Sequence, residues 1–557
     1  MNRIFLLLFL SIFISFNAIS QVVTVKRERN KLAIAEVYVF GTANGFSGST
    51  NGAGKLALGE LSPNDSLYFQ HPGYVKKGIV VQDLKATSNI VFLEDRIIML
   101  PEIVFSATKR VENQREVANQ LEKIDASDIV FNNPQTTADV IDQTGQVFVQ
   151  KSQQGGGSPM IRGFAANRLL IVVDGVRMNN AIFREGNLQN LILVDPNSLE
   201  SAEVLFGPSS TLYGSDALGG VMNLSSKKTT YSDSFNLYGG AFTRTQTANK
   251  EATAHLDLGF SWENFSLFNS ITVSDFDDLR SGALRPLNYP DFGKRFTYVR
   301  NVNGVDRVDS SKDVNVQRST GYQQLNALQK IGWKVSKDIE ITNSFHFTTS
   351  GDIPRYDRLT QLNPDSTFRF GDWHYGPQTW VLNGLNVKLS NKNALYDVLN
   401  ITPAYQFFNE ERVSRRFGRV DESHRIEKVQ LITTNVDADK QLNDDQSILY
   451  GLEFAFNTVN STAFQQNINT NTKSPESTRY PDGGSTYNTS AAYISFEQKI
   501  DDRYIFSAGT RYSYVSLNSK FEDSTFFSFP YDEINLKTGA LNGSVGLVFT
   551  PTKAVQV

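Results

Sequence analysis

The sequence predicts a mostly β fold: a small N-terminal β-sandwich, an α+β segment, then an antiparallel transmembrane β-barrel with about twelve strands present. Three observations predict it. The chain opens on an apolar leader. Beyond residue 233, segments of about ten residues alternate apolar and polar positions, the dyad pattern of membrane-crossing strands. The connections between those segments alternate short and long.

Composition narrows the function classes. At 557 residues the chain exceeds one ordinary soluble domain. A net charge of −4 gives no indication of a nucleic-acid partner. Phe 39 and Tyr 21, against Trp 4 and Met 5, favour β structure. Without cysteine there are no disulfides, thiolate metal sites or cysteine nucleophiles. No Ser/His/Asp arrangement and no HExxH stands out, so no enzyme, metal or cofactor is expected.

Residues 1–20 read as a secretory signal. Arg3 is the positive start, Ile4 to Phe16 the apolar run, and Ala18-Ile19-Ser20 the small-residue cleavage site. The run is short for a membrane helix. No later segment has the length of an apolar helix, so any membrane span must be made of strands.

Residues 22–95 look like a small β domain, with strands in "KLAIAEVYVF", "SGSTNGAGKLAL" and "SLYFQHPGYVKKGIVV". The "TNGAGKLALGEL" turn and "DSLYFQHPGY" resemble the carboxypeptidase-regulatory-like β-sandwich that precedes many outer-membrane receptors. That resemblance carries no peptidase activity. His71, beside Pro72-Gly73, reads as a turn residue.

Residues 101–110, "PEIVFSATKR", are extended after a proline. Residues 111–230 mix short elements. "TTADVIDQT" is a capped helix, "QVFVQKS", "RLLIVVDGVRMNN" and "SAEVLFG" are strands, and Asp195-Pro196 starts a helix as N-cap and first residue. Then comes "FGPSSTLYGSDALGGVMNL", Phe206 to Leu224. A phosphate loop would place Lys-Ser/Thr after its last glycine, whereas Gly214 is followed by Ser215-Asp216. A slack linker would not carry Leu212, Tyr213, Leu218, Val221 and Met222, which want burial. Glycines among buried apolar residues predict tight turns and close backbone approach.

From 231 to 557 the pattern is β alone. In "ATAHLDLGFSW", Ala252, Ala254, Leu256, Leu258, Phe260 and Trp262 share one face, with Thr253, His255, Asp257, Gly259 and Ser261 on the other. Arg511 lies on the polar face of "YIFSAGTRYSYV". Long connections at 276–319, 351–375, 412–424, 460–487 and 517–536 alternate with short turns such as "WENF", "VSKDI" and "KIDDR". A soluble sandwich has no reason to make every second loop long. An outer-membrane barrel does, with short periplasmic turns and long outer loops.

"SPMIRGFAANRLLIVVDGVRMNN", "LESAEVLFGPSSTLYGSDALGGVMNL" and the strand pattern resemble the plug and barrel of TonB-dependent outer-membrane receptors. The resemblance implies a plug, 111–230, seated in a barrel of about 22 strands. It implies an outer-membrane transporter of the Gram-negative cell, with the plug and the N-terminal domain on the periplasmic side. Its partners would be membrane lipid, an extracellular ligand and the TonB–ExbB–ExbD inner-membrane complex. The segment pulled by TonB would be Glu102, Ile103, Val104, Phe105, Ser106, Ala107 and Thr108, whose extended, unpaired character suits strand addition by a partner. An ordinary interdomain linker is the alternative.

Further residues carry over by position. Arg162-Gly163 matches the family's "IRG", where the arginine is commonly held by barrel carboxylates. Asp174-Gly175 is a turn. Gly207, Pro208, Tyr213, Gly214, Gly219 and Gly220 belong to the packed exit from the plug. Gln153, Gln154 and Ser158 match one apical loop; Arg177, Asn179, Asn180 and Arg184 match a second. His374, among the aromatics of "GDWHYGPQTW", is a candidate for stacking on a ligand, with loop packing as the alternative. Phe206 stands where many members carry arginine, which removes one expected ionic tie. With about twelve of 22 strands, the chain is expected to be the N-terminal part of a longer protein. The cargo expected is an iron chelate, a siderophore complex, or haem. Cobalamin or an oligosaccharide is the alternative, as is a surface adhesin barrel without transport.

Overall fold

The computed structural model describes residues 21–550, except 42–44, 60, 96–102, 105–108, 111, 115–116, 184–189 and 502. The signal sequence 1–20, Arg184, and Glu102, Phe105, Ser106, Ala107 and Thr108 of the expected TonB segment lie outside the described residues. The chain divides into two units, Met1–Pro101 and Glu102–Val557.

In the first unit, Gln21–Arg27 lies between Lys55–Leu58 and Ile90–Leu93 in one sheet. Tyr38–Gly41 and Ser66–His71 are the inner strands of a second. Val23, Val25, Val39, Leu67, Phe69 and Leu84 form its buried core. His71 accepts a hydrogen bond from the Gly73 amide at 3.1 Å, fixing the turn expected there.

The second unit starts with the mixed segment. Its central sheet runs in the order Leu121–Asp125, Leu199–Phe206, Gly220–Ser226, Leu169–Val173, Val176–Arg177. Leu169–Val173 is buried at every residue, as its unbroken apolar run demands. Thr136 caps the helix Thr137–Asp142 through a reciprocal box with Asp139. Asp195 caps the turn Pro196–Ser198 by accepting from the Asn197 amide.

Twelve antiparallel strands follow, each paired with the next. In chain order they are Asn236–Gln246, Glu251–Ser261, Phe265–Phe276, Tyr322–Lys334, Ile339–Ser350, Thr379–Leu389, Val398–Arg416, Asp421–Asn443, Gln446–Asn467, Ser485–Ile500, Tyr504–Lys520 and Glu533–Phe549. They are called the first to twelfth barrel strands below. The seventh to ninth have 19, 23 and 22 residues, about twice what a bilayer crossing needs. They therefore extend past the membrane at the long-loop end. The first long connection carries the hairpin Thr297–Val302 with Val305–Ser310. The second carries Ile353–Pro354, the helical turn Tyr356–Leu359 and Phe370–Tyr375, which pairs with the seventh strand.

Burial in this sheet is inverted relative to a soluble protein. Leu256, Leu258, Ile271, Val273, Phe454 and Phe456 are exposed, while Thr253, His255, Thr272, Lys330, His346 and Glu453 are buried. Apolar side chains outward and polar ones inward is the arrangement a lipid-facing barrel requires. No helix among the described residues is long and apolar enough to cross a membrane. The mixed segment lies against the inward polar faces, as the contacts below establish.

Candidate functional site

The inner segment is held to the wall by charge. Arg177, at the end of a core strand, donates to Glu453 of the ninth strand at 3.0 Å and to Asp216 at 2.6 Å. Arg511 of the eleventh strand reaches the same Glu453 oxygen at 3.3 Å. The Glu453 and Arg511 side chains are only 9% and 3% exposed. Burial works against a charged Arg177, but Glu453 and Asp216 outweigh it and its pKa is raised.

A second tie centres on Asp174. Asp174 and Gly175 have φ of 49° and 81°, the left-handed pair of a tight hairpin turn, as the Asp-Gly sequence predicts. The carboxylate accepts from the Ser226 amide and hydroxyl, meets Lys330 at 3.1 Å and His346 at 2.9 Å. Burial alone would raise its pKa; Lys330 and His346 reverse this and hold it well below the usual carboxylate range. Elsewhere Arg110 meets Asp439 and Glu497, each at 3.2 Å, and Lys109 meets Asp437 at 3.2 Å. Asp195 accepts from Thr272 at 2.5 Å, Gln406 donates to the Arg177 carbonyl at 2.8 Å, and Thr348 donates to the Leu193 carbonyl at 2.7 Å. These contacts come from strands around the whole sheet, so the twelve strands wrap the segment.

A cavity of about 560 Å³ separates the central sheet from the sixth to ninth strands. Lys109, Lys388, Asp125, Glu203 and Asp437 are among its lining residues. It lies on the short-turn half of the wall.

The expected TonB segment is partly paired, which corrects its reading as unpaired. Ile103 and Val104 form a two-stranded antiparallel ladder with Asn113 and Glu112. Val104 is 2% exposed and packs in a cluster with Val117, Leu121, Leu170, Val172 and Tyr213. The reason is apolar burial: the Val104 side chain folds back onto the hydrophobic face of the plug sheet, over Leu170, Val172 and Val221.

Arg162 also departs from expectation. Among the described residues it donates to Gln120 at 2.8 Å and lies over the Phe206 ring at 5.9 Å, with no carboxylate partner. Phe206, in the place of an arginine, gives it a π face instead. The motif glycines behave as expected. Gly207 and Gly214 have φ of 92° and 87°. A side chain on Gly219 would come within 2.4 Å of Phe164 Cβ.

The apical candidates separate by role. Asn179 is structural: it accepts from the Ile171 amide and donates to the Leu169 carbonyl. Ser158 is buried in a strand. Gln153 and Gln154 stand in the loop under the second outer connection, where the Ser152 carbonyl accepts from the Asp357 amide at 3.2 Å. Asn180 accepts from the Ile182 amide and borders a cavity of about 270 Å³ beside Arg177 and Asp216. His374 lies in an outer-loop cavity of about 230 Å³ with Arg295, Arg318, Asp352 and Asp372. Sequence reasoning missed Glu453, Lys330, Asp437, Arg295 and Arg318. For the strand residues there was a signal, since a charge at inward parity in mid-strand must find a partner.

The family model described as TonB-dependent Receptor Plug Domain matches residues 113–221, and that described as TonB dependent receptor-like, beta-barrel matches 318–557. The chain belongs to the TonB-dependent receptors. In this family's terms the inner segment is the plug. "Vitamin B12 transporter BtuB" of Vibrio vulnificus (strain CMCP6) is 36% identical over 126 residues, 22% of this chain and 20% of the relative. "Ferrienterobactin receptor" of Escherichia coli (strain K12) is 29% identical over 245 residues, 40% of this chain and 31% of the relative. Copper transporter OprC shares the fold at a TM-score of 0.61 and 13% identity, covering 78% of this chain and 61% of OprC. The unliganded ferric citrate transporter FecA does so at 0.57 and 13%, covering 82% and 64%. The chain thus spans less than two thirds of the receptors it matches.

Proposed function

We propose that this TonB-dependent receptor takes up a scarce, large nutrient, an iron chelate, across the outer membrane. The observation that carries the reading is a plug fixed to the inner face of the wall by buried ion pairs, which only work can shift. In this reading Glu102 to Thr108 is the segment TonB pulls, and the short-turn end with the N-terminal unit faces the periplasm. The Val104 ladder is then the latch through which a pull reaches the plug sheet.

Haem is the second reading, and the histidines weaken it. His255 meets Thr272 and Asp257, His346 meets Asp174, His374 meets Asp372, and His424 meets Glu411. Haem iron takes one ring nitrogen and leaves the other to a partner; His255 and His424 face partners at both nitrogens, so each would have to give one up. Cobalamin is a third cargo, supported by the matched vitamin B12 transporter. A strain deleted for the gene should fail to grow on its ferric chelate as sole iron source and recover with the intact gene. Unimpaired growth of the deletion strain on ferric chelates, haem and cobalamin alike would refute the import reading. The N-terminal unit is compatible with a carboxypeptidase-regulatory-like domain that has a structural role.

A further inference from the structure

Two arginines in the outer loops have donors with nothing to donate to. Arg295 makes one side-chain hydrogen bond, from Nη2 to the Leu359 carbonyl at 2.9 Å. No carboxylate pairs with it among the described residues, and its Nε is buried without a partner. Its ring neighbours are Tyr356 and Phe368, with centroids at 5.8 and 5.4 Å. Burial lowers its pKa, the sign of a charge taken from water without an opposite charge in return. Arg318 reaches Asp278 at 3.4 Å through Nη1, and its Nε is also buried and unpartnered.

A guanidinium carries five N–H donors in a planar fork that matches a carboxylate or phosphate. Both forks border the same cavity of about 230 Å³, walled also by Tyr298, Pro354, Gly371 and His374. Asp352 and Asp372, which also line the cavity, are engaged with His374, at 3.8 and 3.2 Å. They reduce the positive field without pairing with either arginine. Arg295 is partly buried with no carboxylate partner among the described residues, and Arg318 is 39% exposed with one long tie to Asp278, so an arriving oxyanion would find free donors on both.

The cavity is also connected to the plug. Leu359, which accepts from Arg295, ends the helical turn Tyr356–Leu359. Asp357 of that turn donates its amide to Ser152 of the plug. Pro354 borders the cavity, and its neighbour Ile353 stands where a side chain on plug Gly155 would come within 2.7 Å.

We propose that Arg295 and Arg318 form an oxyanion site, which takes a carboxylate or phosphate group of the ligand. The inference rests on the import reading above and narrows its cargo to anionic molecules. The test is calorimetric titration of the purified full chain in detergent with citrate, with inorganic pyrophosphate, and with uncharged trimethyl citrate. Citrate or pyrophosphate should bind at one site, and which of them binds distinguishes carboxylate from phosphate recognition. The ester should not bind. Arg295→Gln and Arg318→Gln should each weaken binding at least tenfold, while Arg503→Gln, at the short-turn end, should not. Arg295→Lys keeps the charge and should retain part of the affinity. Retained heat-modifiable gel migration identifies the variants that fold, and either folded glutamine variant suffices. Equal binding to wild type and a folded glutamine variant, equal binding of the ester, or no binding of either anion overturns the proposal. No energised membrane is involved, so failure here is distinct from failure of import.

Discussion

Arg177 of the plug and Glu453 of the ninth barrel strand meet at 3.0 Å, and Arg511 of the eleventh strand shares the same carboxylate. One acid thus joins plug to wall between two cations, where little water enters. Removing one partner of a buried ion pair is expected to cost about 3–5 kcal/mol. Glu453→Gln, which leaves two facing guanidinium groups, should lower the thermal midpoint of the purified protein. It should also sensitise cells to large antibiotics that a seated plug excludes. Wild-type antibiotic resistance in a well-expressed variant would show that this pair does not hold the plug in its seat.

Asp174 gives a pH prediction with a definite sign. Its carboxyl pKa is depressed, so its contribution is complete above the unfolded value of about 3.9 and is lost only as pH falls through the lower folded value. In a His346→Asn background, which removes the titratable side chain touching Asp174, Asp174→Asn should therefore destabilise equally across about pH 5 to 8. A mutational cost that varies steeply within that range would point to another group.

His374 behaves oppositely. Burial opposes its charge, but the hydrogen bond with Asp372 and the fields of Asp372, Asp352 and Glu422 raise its pKa. Arg295 and Arg318 face it across the cavity. A raised histidine pKa contributes stability below the unfolded value of about 6.5, lost as pH rises through the folded value. Hydrogen exchange, corrected for intrinsic rates, should show residues 352–375 better protected at acidic than at alkaline pH. His374→Asn should flatten the difference.

Gly219 tests the packing of the plug exit. An added methyl would meet Phe164 Cβ at 2.4 Å, and overpacking of this kind costs about 1–3 kcal/mol. Gly219→Ala should lower the unfolding midpoint, whereas Gly240→Ala, with open space around it, should not. Equal midpoints for both variants would show that the loop yields.

Val104 tests the latch that TonB is proposed to pull. Val104→Ala removes buried methyl groups from the cluster with Val117 and Leu170, and such truncations cost of order 1–3 kcal/mol. Limited proteolysis should cut near residues 102–110 faster in the variant, with the barrel intact. An unchanged cleavage rate would mean that the ladder does not restrain the segment.

The barrel was legible because lipid imposes a period. In "ATAHLDLGFSW" each second residue must be apolar, and the second barrel strand covers that stretch as Glu251–Ser261. Where strands leave the bilayer the constraint ends: the ninth strand runs on to Asn467 through polar residues that no alternation marks. The plug exit was readable from its glycines, since Gly214 and Gly219 have local or contact reasons to lack a side chain. The ion pairs were not. Arg177 and Glu453 lie 276 residues apart, and which inward charge meets which depends on plug rotation and strand register. Val104 misled because a short apolar stretch can be free or folded back, and only the neighbouring sheet face decides.

Uptake of a radioiron-labelled chelate by whole cells tests the central claim most directly, comparing the intact gene with one lacking codons 102–108. Energy-dependent accumulation should be lost in the deletion, with surface binding of the chelate retained. Accumulation that continues without the segment, or after the proton gradient is collapsed, would contradict it.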